Sequence, residues 1–244
     1  MTTTNNARAG TLAPMTDRAV RDACAAVKYA AADEMDRFDM RGVYVRQEAT
    51  GARFIASDGK RLAAVFIPGA QAPAAFFPLE SLIGSGKRKT NGMPKAGEPK
   101  SDGAAPLFKI YDELAEAAAP EFTAPAEDFR AAARHVYGAR VKVVTMDVLD
   151  GVAVLSGRDD VVDVSTDFDV DPRADFFQRR EVVAEFLTDA AKRIDSHSVR
   201  IASIGEFNAE GNAVRGPVPS VRIVAGNLTA IICARKPEPK GGRS

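Results

Sequence analysis

Apolar positions change from helical spacing to alternation within the first third of the chain. Between Asp17 and Ala32, the residues Val20, Ala23, Cys24, Val27 and Ala31 fall on one side of a helix, with Thr16 placed as its N-cap. In Gly42-Val43-Tyr44-Val45-Arg46 apolar and polar residues trade places, Thr50-Gly51 supplies a turn, and Arg53-Phe54-Ile55-Ala56 begins a second run, which predicts a hairpin. Ser57-Asp58-Gly59 then provides a sharp corner, because Asp and Gly tolerate its backbone angles, before Ala63-Ala64-Val65-Phe66-Ile67 resumes a strand. Ala75-Phe76-Phe77 and Pro78 to Ile83 predict a short strand running into a short helix with proline in its first turn.

The later part of the chain repeats this order twice. Glu121-Phe122-Thr123 reads as a strand, Ala126 to Tyr137 as a helix with Phe129, Ala132, Ala133 and Val136 inward, and Val141–Val148, Gly151–Ser156 and Val161–Thr166 as a meander. Phe176-Phe177 then predicts a short strand, and Glu181 to Arg193 a helix with Val183, Phe186, Leu187, Ala190 and Ile194 inward. Ser198–Ile204, Val218–Val224 and Leu228–Cys233 predict a second meander. Helices recurring between β-meanders indicate an α+β fold with every such helix on one face of the sheet. Gly84 to Pro106 interrupts the pattern, being rich in Gly, Pro, Lys and Ser, and Leu107–Ala119 is an amphipathic piece that crosses toward the next unit. The expected organisation is a tail over 1–14, a domain over 15–110 whose second half is truncated around a flexible 84–106 segment, a complete domain over 120–235, and a tail over 236–244.

Charge changes this picture only through its placement. Lys+Arg and Asp+Glu both number 33, so attraction to nucleic acid has to come from a local surface. Arg18, Arg21 and Lys28 cluster beside the apolar stripe of the first helix, Arg130 and Arg134 share a face of the second, and Lys192 and Arg193 end the third. Cys24 and Cys233 stand far apart, which suggests neither a disulfide framework nor a thiolate metal site. The polar first ten residues lack a signal-peptide core and no apolar run approaches a membrane span, so the cytoplasm is the expected compartment. Catalysis has little support. His135 and His197 are the only histidines, Gly86-Lys87 lacks the first glycine and the Ser/Thr of a phosphate loop, and Pro172 and Gln178 break a calcium-loop reading of Asp167, Asp169 and Asp171.

The Gly-Val-Tyr-Val strand, the Phe-Ile-Ala-Ser-Asp-Gly-Lys-Arg-Leu-Ala strand and corner, and the helix before both resemble the second domain of the bacterial DNA polymerase III beta subunit, the sliding clamp. Phe176 to Cys233 resembles the last half of that family's third domain. The resemblance implies a DNA-clamp fold in which helices line a hole and sheets form the outside. It also implies sequence-independent binding of duplex DNA, with no metal and no cofactor. Arg18, Arg21, Lys28, Arg130, Arg134, Lys192 and Arg193 become the candidate phosphate contacts. The family's partner-peptide pocket maps onto Ser57, Gly59, Lys60, Arg61 and Leu62 with Ile231 and Ile232 of the last strand, which implies docking of a DNA polymerase, of other clamp-motif proteins and of a clamp loader. The chain departs from the family at Cys233-Ala234-Arg235-Lys236, where a Met-Pro-Met-Arg-Leu-like ending is usual. At this length a ring would need a homo-oligomer of three two-domain copies, and the truncated first domain leaves open a non-encircling interaction module that binds replication or repair proteins. An unrelated α+β enzyme is the third alternative.

Overall fold

The computed structural model describes residues 12–32, 40–72, 75–83, 93–98, 104–119, 121–158, 163–170, 177–208, 213–214 and 216–236. The elements in order are β1 (Ala13–Pro14), α1 (Asp17–Val27) with a 3-10 turn at Lys28–Ala30, β2 (Gly42–Glu48), β3 (Gly51–Ser57), β4 (Arg61–Pro68), β5 (Ala70–Gln71), β6 (Phe76–Pro78) and α2 (Leu79–Ile83). They continue with α3 (Ala104–Glu116), β7 (Glu121–Pro125), α4 (Ala126–Gly138), β8 (Val143–Leu149), β9 (Val152–Arg158), β10 (Asp163–Asp169), β11 (Arg180–Val183), α5 (Ala184–Ala191), β12 (Ser198–Ile204), β13 (Ser220–Ala225) and β14 (Leu228–Cys233).

An eight-stranded sheet in the order β6-β2-β3-β4-β14-β13-β12-β7 runs through both halves of the chain, and a four-stranded sheet, β10-β9-β8-β11, stands beside it. The halves are joined by antiparallel pairing of β4 with β14, which sets Leu62 opposite Ile231, Ala63 opposite Ala230 and Val65 opposite Leu228. Within the later half the two strand-helix-meander units exchange their first strands: β7 pairs β12, and β11 pairs β8.

Register and burial assign the faces. Ala63 and Val65 pack with Val20, Ala23, Cys24 and Val27 of α1, while their partners Ala230 and Leu228 pack with Phe129 and Ala133 of α4 and Leu187 and Ala190 of α5. Paired residues in an antiparallel ladder share a face, so α1, α4 and α5 all lie on one side of the continuous sheet. Leu62 and Ile231, one position along, face the opposite side and are buried with Leu107, Tyr111 and Leu114 of α3. The mostly alanine stripes on α4 and α5 let these helices approach closely, and Thr188 Oγ1 of α5 donates to the Ala133 carbonyl of α4 at 3.1 Å.

Several boundaries differ from the expectation. The first helix ends at Val27 and tightens into the 3-10 turn, because Ala31 is extended (φ −69, ψ 150). The strand expected at Phe176-Phe177 is instead β11, and the helix expected from Glu181 starts at Ala184. Val182 is opposite Val144 in the ladder, and a β-branched pair there outweighs the helical spacing that Val183 also satisfies. Residues 104–106 of the expected flexible segment are the first turn of α3. The described part of that segment also touches the body of the protein: Gly97 N donates to the Phe76 carbonyl at 2.8 Å, and Met93 N donates to Asp17 Oδ2 at 3.0 Å. Residues 84–92, 99–103 and Phe176 lie outside the described residues. Of the expected N-terminal tail, Ala13–Pro14 pairs in parallel with β5.

Candidate functional site

Two surfaces collect the residues singled out from the sequence. The first is the outer side of α1, α4 and α5. Thr16 caps α1 by accepting from Ala19 N at 3.2 Å, which starts the helix where Arg18 and Arg21 follow. Arg18 is fully in solvent, 3.7 Å from Asp22, while Arg21 and Lys28 are half-buried. Arg130 donates to the Ile194 carbonyl at 3.0 Å, so this cation ties α4 to the end of α5, and exposed Arg134 donates to the Arg130 carbonyl at 3.2 Å. Lys192 sits 3.6 Å from Asp189 and 5.4 Å from the Tyr137 ring centre. Arg193 lies 5.8 Å over the Tyr29 ring, so the last turns of α5 and the 3-10 turn after α1 meet across the joint. The seven cations thus belong to helices, and the turns that follow them, on one side of the sheet, with Asp22 and Asp189 as local counter-ions and Arg130 partly committed to holding helices together.

The second surface is the Ser57–Leu62 corner with β14. Gly59 has φ 82, a left-handed conformation that a side chain would strain, and its N–H donates to Ser57 Oγ at 3.1 Å. Asp58 Oδ1 accepts from the N–H groups of Lys60 and Arg61 at 2.8 and 2.9 Å, and the Lys60 carbonyl accepts from Cys233 N at 2.9 Å. The corner is rigid and stitched to the final strand. Its side chains divide by strand alternation. Arg61 and Ile232 face the helices, whereas Leu62 and Ile231 face α3. Arg61 bonds Asp58 Oδ2 at 3.0 Å and Asp189 Oδ2 at 2.9 Å and stacks 4.3 Å over Phe186, so it links the first half of the chain to α5. Tyr29, 5.8 Å from the same guanidinium, is enclosed enough that burial pushes its hydroxyl well above the ordinary tyrosine range. Lys60 is the one exposed side chain of the corner beyond Gly59.

The groove that Leu62 and Ile231 line is filled by α3. Below it lie Tyr44, Ile55, Ala64, Phe76 and Ile204; around it stand arginines. Arg46 holds Asp112 through two bonds of 2.8 Å, Arg53 donates to the Tyr111 hydroxyl at 2.6 Å, and Arg222 donates to the carbonyls of Leu114, Ala115 and Ala117 at 3.2, 2.7 and 3.0 Å. Arg222 therefore answers the unpaired carbonyls at the helix end. The hydrogen bond from Arg46 holds the Asp112 carboxyl below its usual range. Burial alone would raise Glu48, yet bonds from Arg53 and Arg46 bring it below the usual range as well. Sequence reasoning marked α3 only as an amphipathic crossing piece. Arg46, Arg53 and Arg222 carried no signal beyond being polar residues in strands, because their partners are remote in sequence.

Among the described residues no group of His, Cys, Asp and Glu could hold a metal ion, and no helix is long and apolar enough to cross a membrane. Burial pushes the Cys24 thiol up to about 12, as suits a core residue.

No protein-family model matches the sequence, and no curated protein matches it either. Solved structures do match. The DNA polymerase III beta subunit of Thermotoga maritima superposes with a TM-score of 0.68 at 14% identity, covering 92% of this chain and 65% of its own. The DNA polymerase sliding clamp of Pseudomonas aeruginosa gives 0.68 at 12% identity over 91% of this chain and 65% of its own, and the Caulobacter crescentus pol III beta gives 0.67 at 14% over 91% and 65%. The chain spans about 65% of the length of these structures. At such identities the likeness is one of architecture: the chain has the clamp fold of the bacterial DNA polymerase III beta subunits.

Proposed function

We propose that this chain is a DNA sliding clamp, a processivity factor that encircles duplex DNA as a homo-oligomer, acts in the cytoplasm, and docks polymerase, other clamp-motif proteins and a loader on its surface. One observation carries the reading: a single sheet continues across the β4–β14 joint with α1, α4 and α5 on the same face, and that face presents Arg18, Arg21, Lys28, Arg134, Lys192 and Arg193. Cations spread along helices meet phosphates without reading bases, so binding is sequence-blind and falls with salt. A clamp works by topology and recognition, so neither a cofactor nor a catalysed step enters. The test is retention on nicked circular DNA compared with the same DNA linearised. The protein stays on circles and runs off ends; equal retention on both counts against the proposal.

A specific feature favours the second reading, a non-encircling module that binds replication or repair proteins. In the observed joint, β4 closes one meander and β14 closes another. Among the described residues β10 closes the remaining meander and pairs only with β9, and the chain between β6 and β7 supplies α2 and α3 where a further meander would end in an answering strand. β10 also carries Asp163, Asp167 and Asp169 on its exposed side, which discourages pairing of two such edges. Mass in solution, with and without nicked circular DNA, separates the readings. A monomer under both conditions that still binds partner peptides supports the module.

A further inference from the structure

Each arginine that holds α3 also keeps a carboxylate belonging to the sheet. Arg46 and Arg53 reach Glu48 at 2.9 and 2.6 Å, and Arg222 lies 3.8 Å from Glu121. Lifting α3 away would leave Arg46 and Arg53 sharing Glu48 and Arg222 beside Glu121, uncovering an apolar floor of Leu62, Ile231, Ile55, Tyr44 and Phe76 with a rim of net positive charge. Such a surface differs from a permanent core, where removing one partner strands a charge. The helix itself, 13 residues long, is of a length at which an isolated helix is only marginal in water, so docking supplies much of its order. Its buried apolar residues at helical spacing are Leu107, Tyr111 and Leu114, with Phe108 and Ala115 partly buried beside them, and one carboxylate, Asp112, is placed toward Arg46.

We propose that the outer face over the β4–β14 joint is a helix-accepting groove, that α3 is its resident ligand, and that a partner docking there presents an acidic amphipathic helix of the same pattern. Apolar residues take the places of Leu107, Tyr111 and Leu114, and a carboxylate takes that of Asp112. This rests on the reading of the chain as a protein that docks partners at the corner, and adds the shape and charge of what docks. It also makes α3 a competitor: apparent affinity for a partner is reduced to the fraction of molecules whose groove is free.

The test uses the full chain and a labelled peptide of residues 104–119, followed by fluorescence anisotropy. Lys109 is 78% exposed and faces away from the sheet contacts, so Lys109→Pro breaks the helix without touching the groove. The Lys109→Pro chain is expected to bind the peptide at least about tenfold more tightly than the unsubstituted chain, and Asp112→Ala in the peptide lowers that affinity several-fold. Equal affinity for both chains overturns the proposal. Hydrogen exchange on the unsubstituted protein supplies an independent arm. Amides of α3 are expected to exchange through an opening that leaves β4 and β14 protected; exchange of α3 only together with those strands overturns the proposal, as does a Lys109→Pro chain that no longer melts cooperatively. None of these readouts involves DNA, so failure of DNA retention and failure of the groove are seen separately.

Discussion

The two faces of the large sheet use the same residue types in opposite ways. On the α1, α4 and α5 face, alanine-rich helix stripes with Phe129 and Leu187 as their large members make the apolar contacts, and cations sit on the helices, mostly toward solvent. On the α3 face the arrangement is reversed: arginines stand on the strands, and Arg46, Arg53 and Arg222 direct their charge at one short helix. With equal numbers of positive and negative side chains overall, neither composition nor net charge distinguishes these surfaces. Direction does. The helix cations stay mostly in solvent, with Arg130 excepted, whereas Arg46, Arg53 and Arg222 on the strands are engaged within the protein.

The comparison can be broken most severely beneath α3. Ile231→Ala removes a side chain that is 1% exposed between the joint and the helix, and should cost about 2–5 kcal/mol in chemical denaturation. A cost below about 1 kcal/mol would mean that α3 does not pack tightly on the joint. Arg222→Met, which leaves the α3 carbonyls without their donor, should cost about 1–3 kcal/mol and raise exchange at the end of α3 before it affects α4 or α5. Acid sharpens the contrast further. Asp112 and Glu48 have folded values below their unfolded ones, so their contribution is complete above the ordinary carboxylate range near about 4 and is lost as pH falls through the lowered folded values. Protection of α3 should therefore weaken in acid ahead of protection of α1, and simultaneous loss would contradict that order. The smallest stability effect belongs to the helix face. Arg21→Ala and Lys192→Ala should each change stability by no more than about 0.5 kcal/mol, while each phosphate contact removed should lower the salt-dependence slope of DNA binding by about 1. An unchanged slope in both variants would remove these residues from the DNA-facing set.

Local features of this architecture were legible beforehand because local chemistry makes them. Thr16 capping α1, the Ser57-Asp58-Gly59 corner, the alternation of β2 and the β-rich runs of β3, β12 and β14 all depend on neighbours a few residues away. The start of α5 was misplaced because Val182 and Val183 fit either a strand or a helix, and only their remote partners in β8 decide the matter. The candidate pocket residues were identified as one group, yet Arg61 and Leu62 are adjacent in sequence and therefore belong to opposite faces once β4 is paired. Their separate fates, an ion pair with Asp189 and burial under α3, follow from that pairing.

By itself the sequence determined the strand-helix-meander unit and its repetition, the rigid corner, and the cations grouped along each helix, since spacing and turn chemistry act over a few residues. Only the tertiary structure decided that β4 would join β14 and that α3 would lie across the joint on the face opposite α1, α4 and α5. An amphipathic helix carries its pattern but no address, and the strands that receive it are assembled from residues far apart in the chain. Contacts of that range are settled by the collective packing of both halves.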